Sequence, residues 1–140
     1  MMIRRTRGLL LAVALLLVPG TGCSRGPKIV KVTGRLTYKG APVPSTDVKF
    51  VPEDGGRPSH NVTDRDGHFN LKYTRSQFGV ARGRHTVVLT YDPVGEEDMP
   101  SHERMSNDLK AVVARYGDPA SSSLHFEVNE DGQVIEIPLD

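Results

Sequence analysis

From residue 30 onward, apolar and polar side chains alternate with a period of two, the pattern of strands with one buried face. Val30, Val32, Leu36 and Tyr38 share one side of the first such segment, and Lys31, Thr33, Arg35 and Thr37 share the other. The pattern recurs over Asp47–Val51, Ser59–Thr63, His68–Tyr73, His85–Tyr91 and Leu124–Val128, and again through Ile135, Ile137 and Leu139. Turn chemistry separates these runs: Lys39-Gly40, Pro52 to Gly56, Asp64-Arg65-Asp66-Gly67, Gly79 to Gly83, and Asn129-Glu130-Asp131-Gly132. Pro42 and Pro44 keep the approach to the second strand extended and away from a central ladder.

Seven strands with turn signals at roughly eight- to twelve-residue spacing predict an all-β fold, a seven-stranded antiparallel β-sandwich. The last two strands, flanking Asn129 to Gly132, read as a C-terminal hairpin. Gly34 interrupts the apolar side of the first strand, which predicts a bulge or a close backbone approach. Gly34, Gly40, Asp64, Asp66, Gly67 and Gly132 are therefore read as structural turn or packing residues.

One segment breaks the pattern. Asp92–Ser123 is too long for a simple hairpin loop. Its lead-in, Asp92–Pro100, is acidic and turn-rich, and Met105, Leu109, Val112, Val113 and Tyr116 then recur at helical spacing. This predicts one short helix before the C-terminal hairpin, capped by Ser101 and stopped by Gly117-Asp118-Pro119. Such a helix would cover an open sheet edge, and loops on a rigid scaffold also carry binding, so Asp92–Ser123 is the candidate surface for an envelope protein partner.

The first 22 residues have a different character. Arg4, Arg5 and Arg7 precede ten consecutive apolar residues, Leu9 to Val18, and Pro19-Gly20-Thr21-Gly22-Cys23 follows. Positive start, short apolar middle and small residues at the cut are the order of a secretory signal. Ten residues rise only ~15 Å as a helix, about half of a ~30 Å hydrocarbon core, which is too short for a stable anchor. Cys23 is the sole cysteine of the chain. Thr21-Gly22-Cys23 resembles the lipobox of bacterial lipoproteins, although Gly20 stands where that family usually carries an aliphatic residue. The resemblance implies that Cys23 is lipidated and begins the mature chain. The domains expected are thus a signal peptide over 1–22, a tether over 23–28 and a β-sandwich over 29–140.

Charge and chemistry narrow the function classes. Removing Arg4, Arg5 and Arg7 with the signal leaves 15 basic against 17 acidic side chains, a net charge of −2. A near-neutral domain has no electrostatic footprint for nucleic acid. Asp64-x-Asp66-Gly67 opens like a calcium loop, but position twelve is Arg75 where a Glu is required, so a turn explains it better. His102-Glu103 opens like a zinc-protease helix, but Ser106 stands where the second His belongs. His60, His68, His85 and His125 are read as strand or turn residues, and no metal or cofactor is expected. There is no Gly-x-Ser-x-Gly elbow and no phosphate loop. Arg82 and Arg84, flanking Gly83, are a weaker candidate anion acceptor.

Val32-x-Gly34, Leu36-x-Tyr38-x-Gly40-x-Pro42-Val43, Val48-x-Phe50-x-Pro52 and Thr63-Asp64-x-Asp66-Gly67-x-Phe69 together resemble the carboxypeptidase regulatory-like, or transthyretin-like, domain. Ala81-Arg82-Gly83-Arg84-His85-Thr86-Val87-Val88-Leu89 is similar to a later strand of that family. Ser45-Thr46 and Ala81-Arg82 depart from its turns. The resemblance implies the sandwich fold and an accessory role without catalytic residues. Joined to Cys23, it implies a non-enzymatic module that is anchored to a membrane of the bacterial cell envelope and faces the periplasm or exterior. The alternative it implies is a small periplasmic hydrolase on the same fold. The chain ends Glu136-Ile137-Pro138-Leu139-Asp140, without the Tyr- and Ser-rich tail of the transthyretin-like hydrolases.

Overall fold

The computed structural model describes Gly22, residues 25–94 and residues 96–140. Cys23 and the expected signal segment lie outside the described residues, apart from Gly22. Among those described, the chain forms ten strands and one helix. The strands are β1 (Ile29–Val30), β2 (Val32–Tyr38), β3 (Ala41–Pro42), β4 (Thr46–Pro52), β5 (Ser59–Val62), β6 (His68–Asn70), β7 (Val80–Ala81), β8 (Gly83–Tyr91), β9 (His125–Val128) and β10 (Gln133–Leu139). The helix α1 (Asn107–Ala114) lies between β8 and β9.

Two four-stranded sheets supply the core. In the first, β2 has β10 on one side and, on the other, β3 and β6 in succession along its length. The second has the order β5-β4-β8-β9. A third, two-stranded sheet joins β1 to β7. The expectation of seven strands is thus corrected to ten in three sheets, of which β1, β3 and β7 have two residues each. Alternation needs several residues to register, so a two-residue pairing leaves no period to read.

The inward faces follow the alternation. Val48 and Phe50 of β4, Val87 and Leu89 of β8, and Ile135, Ile137 and Leu139 of β10 are all buried. They meet Val32, Leu36, Phe69 and Leu71 in one apolar cluster, whose buried members all fall between Val30 and Leu139. Among the described residues the core therefore lies wholly within 30–139.

The C-terminal hairpin is not formed. β9 pairs antiparallel with β8, while β10 crosses to the other sheet and runs parallel to β2, with Ile135 opposite Gly34 and Leu139 opposite Tyr38. The expectation of purely antiparallel pairing is corrected with it. The connecting loop is stapled to the segment before β2: Lys31 N–H donates to Asp131 Oδ1 at 2.7 Å, and Gly132 N–H donates to the Lys31 carbonyl at 2.8 Å. Alternation states which side chains face inward and is identical for a hairpin and for a strand that changes sheets.

The helix begins later than its spacing suggests. Ser106, not Ser101, caps it, the Ser106 hydroxyl accepting from Leu109 N–H at 3.2 Å. Val112 and Val113 face the core, and the chain after the helix lines β8 beyond the reach of β9: Leu89 N–H donates to Tyr116 O, and Val87 N–H to Leu124 O. Sheet pairing would otherwise end there with exposed backbone groups.

Gly34 sits at the tightest point of the first sheet. It lies opposite Ile135 on one side and Phe69 on the other, and a Cβ there would collide with the Ile135 carbonyl oxygen and the Phe69 ring. Gly34→Ala is expected to destabilise the domain by about 1–3 kcal/mol, the range for overpacking a filled core. Urea denaturation should show a lower midpoint at unchanged slope; an unshifted midpoint would refute the close-approach role.

Candidate functional site

The Asp92–Ser123 excursion is clasped to the end of β8 and the turn before β4 by one side chain. Glu96, in the acidic, turn-rich lead-in, is only 4% exposed. Its Oε2 accepts from the Tyr91 hydroxyl at 2.5 Å, and its Oε1 accepts from Met105 N–H at 3.0 Å. Burial on its own would raise this carboxyl, but the bonds from Tyr91, Met105 and Ser45 and the nearby Lys110 charge outweigh it and hold the group below its ordinary value. Lys110 Nζ lies 4.3 Å from the centre of the Tyr91 ring, so a cation covers the same clasp. Ser45 adopts a left-handed backbone (φ +53°), and its carbonyl accepts from Asp92 N–H at 2.8 Å. The end of β8, the start of the excursion and the segment before the helix thus meet on one carboxylate, and Ser45, far earlier in the chain, joins them. A cleft of about 530 Å³ runs between this excursion (Met99, Glu103, Met105, Leu109) and the corner of Pro42, Pro44 and Arg65. The Arg65–Glu103 pair across it, at 3.9 Å between exposed groups, adds little.

A second cluster brings a carboxylate, an imidazole and a hydroxyl together. Glu53 Oε1 accepts from His125 Nδ1 at 3.0 Å, and Thr86 Oγ1 lies 3.3 Å from the same Nδ1. A general-base relay needs the acid on one imidazole nitrogen and the hydroxyl on the other. Here both meet Nδ1, so the arrangement is a polar knot and not a relay. Arg84 Nε, the candidate anion acceptor, stands 3.6 Å from Glu53 Oε2 and is partly neutralised by it, while Arg82 is exposed. Beneath the knot, His85 is fully buried against Phe50. Its Nδ1 lies 3.0 Å from the Gly83 carbonyl, an acceptor, so Nδ1 carries the proton and Nε2 is left without a partner. Burial pushes its pKa below the ordinary histidine value, against the opposing pull of the Gly83 carbonyl and the Glu53 and Asp54 charges.

The turn residues stand as follows. Asp64 Oδ1 accepts from Asp66 N–H and His68 N–H, both at 2.9 Å, and Gly67 has φ +76° while its carbonyl accepts from Leu36 N–H. Asp64, Asp66 and His68, all exposed, bring one ligand atom each within 4.8 Å of one another. With the Asp64 oxygen already engaged by backbone donors, this is turn geometry. Lys39 (φ +50°) and Gly40 (φ +82°) form the two-residue turn from β2 to β3. His102 is exposed, within 3.8 Å of its neighbour Glu103.

A feature that no stretch of sequence signalled lies on the outer face of the second sheet. Lys49 is opposite His60, and His60 is opposite Lys72, with reciprocal His60–Lys72 backbone bonds at 3.1 Å. Arg57, Tyr73, Thr74 and Arg75 complete a groove of about 590 Å³ around this row, and no acidic side chain lines it. The Asp47 carboxylate meets His60 Nδ1 at 2.9 Å from outside it. Lys49, Arg57, Lys72 and Arg75 form no ion pair among the described residues. The only available signal was the outward position of Lys49 in its strand, which says nothing about its neighbours across the sheet.

The clasp has a definite pH signature. Glu96 is held below its ordinary value of 4.5, so its contribution is fully present above that pH and is lost as pH falls through the lower folded value. Glu96→Gln should cost about 1.5–3 kcal/mol near neutral pH, the range for hydrogen bonds to a charged group. The gap between parent and variant in urea titrations should close as pH drops below 4.5. A pH-independent gap would show that the charge is not what holds the excursion.

No protein-family model matches the chain, and no curated protein matches it. Among solved structures it is similar to a DUF3823 family protein from Bacteroides ovatus, with a TM-score of 0.44 and 18% identity, over 80% of this chain and 44% of that one. The chain therefore spans less than half the length of that neighbour.

Proposed function

We propose that this chain is a lipid-anchored, non-enzymatic binding module of the bacterial cell envelope, its two sheets forming a carboxypeptidase regulatory-like β-sandwich. The observation that carries the reading is Cys23, the one cysteine of the chain, placed directly after Thr21-Gly22 at the end of a cationic and then apolar leader. An exported chain with a single cysteine has no internal disulfide to form, and acylation gives that residue a use. Several acyl chains on one residue hold a protein to a membrane where one chain is marginal. Arg25 to Lys28, exposed and outside any strand, suit a short tether between lipid and domain. The binding half of the reading is supported by the Glu53–His125–Thr86 geometry, which sets up no proton relay, and by the Asp92–Ser123 excursion, whose Glu96 clasp presents a defined cleft to a protein partner.

Intact-mass measurement on the membrane fraction should show a chain beginning at Cys23 with added acyl mass. Cys23→Ser should abolish that mass and the processed form. A mature chain in the soluble fraction with Cys23 as a free thiol would overturn the anchor.

A further inference from the structure

In the row Lys49–His60–Lys72 each lysine is directly opposite His60, one on either side of it. Arg57 and Arg75 add charge around them, while residues 25–140 as a whole carry 15 basic against 17 acidic side chains. Acidic side chains are thus plentiful elsewhere yet absent from this lining. Four basic groups line one groove without ion-pair partners, a concentration of a single sign that attracts anions.

The groove also has an orientation. Ile29, where the tether enters the domain, pairs with Ala81 and touches Gly79, and Arg82 N–H donates to the Lys28 carbonyl. The residue beside Gly79 is Phe78, 46% exposed, with Lys72 Nζ 5.1 Å from its ring centre. An apolar ring and the basic groove therefore sit next to the point where the tether leaves. An extended tether from Cys23 to Ile29 reaches roughly 20 Å at ~3.3–3.6 Å per residue.

We propose that the groove of Lys49, Arg57, Lys72 and Arg75 binds phosphate groups, those of anionic lipid headgroups at the membrane surface or of free phosphate compounds. Arginine offers paired donors that match phosphate oxygens, and lysine supplies point charge beside them. Thr74 adds a hydroxyl to the lining, and the Arg57 guanidinium lies 5.9 Å from the centre of the Tyr73 ring. The headgroup orientation rests on the lipid-anchor reading; the phosphate site does not.

The test uses unacylated residues 25–140, so its result is independent of the mass measurement at Cys23. One arm measures sedimentation with vesicles of phosphatidylcholine containing phosphatidylglycerol against phosphatidylcholine alone. The other titrates pyrophosphate and follows amide NMR shifts at Tyr73 and Thr74. Binding to the anionic vesicles should weaken about fivefold for each arginine removed, hence about 25-fold for Arg57→Gln with Arg75→Gln, and should fall with added salt. Arg115→Gln, an exposed charge on the distant helix end, should leave it unchanged. Both variants should unfold at the parent urea midpoint. Vesicle binding lost in the double variant identifies the headgroup as the source. Pyrophosphate shifts lost in the double variant, without vesicle binding, identify a free phosphate compound. Binding equal in parent and double variant, or no binding in either arm, overturns the proposal.

Discussion

Strand β2 is the member on which the first sheet is assembled, because it hydrogen-bonds to β10 on one side and to both β3 and β6 on the other. That arrangement closes only if the strand is thin at its middle. Gly34 supplies the gap: the Ile135 carbonyl and the Phe69 ring occupy the space that any Cβ would take. The Phe69 ring so seated lies 6.3 Å from Phe50 of the opposite sheet, so the close approach in one sheet determines how the two meet. Gly67 repeats the device a few residues away, with a positive φ and the Leu36 carbonyl where a Cβ would fall.

A second constraint organises the outer parts. The excursion between β8 and β9 brings few apolar side chains to the core, chiefly Met105, Val112 and Val113. Its attachment relies on Glu96, a buried carboxylate whose oxygens are met by Tyr91, Met105 and Ser45. A buried charge is tolerable only when it is fully bonded, and that requirement makes its geometry specific. The same helix and return segment complete the hydrogen bonding of β8, so the excursion serves the sheet whatever else its cleft does.

The two polar clusters of the second sheet contrast in a way that bears on function. Around Glu53 the charges compensate: His125, Arg84 and Thr86 all turn toward one carboxylate. Around Lys49 and Lys72 the one nearby carboxylate, Asp47, turns to His60, and neither lysine has an ion-pair partner among the described residues. Satisfied clusters hold structure, whereas an unsatisfied one of a single sign marks a place where something else belongs.

The sequence by itself determined which side chains face inward, because alternation with a period of two is a local property of an extended chain. Val48, Phe50, Leu89, Ile135 and Ile137 could be placed on the core side from their spacing alone, and the Gly40 and Gly67 positions carry their conformational demand in the residue type. Gly34 could be marked as a close approach, though not what approaches it. Partner choice was decided only by the tertiary structure. β10 changes sheets because Lys31, far away in the chain, holds the Asp131-Gly132 loop, and a period of two is blind to that. Ser106 rather than Ser101 caps the helix once Glu96 has drawn Met105 inward. Nothing in the sequence singled out Glu96, and Lys49, Arg57, Lys72 and Arg75 come together only through strand register and the loops beside it. The groove joins residues of separate strands, and the clasp needs Ser45, whose approach to Asp92 and Glu96 no local pattern encodes.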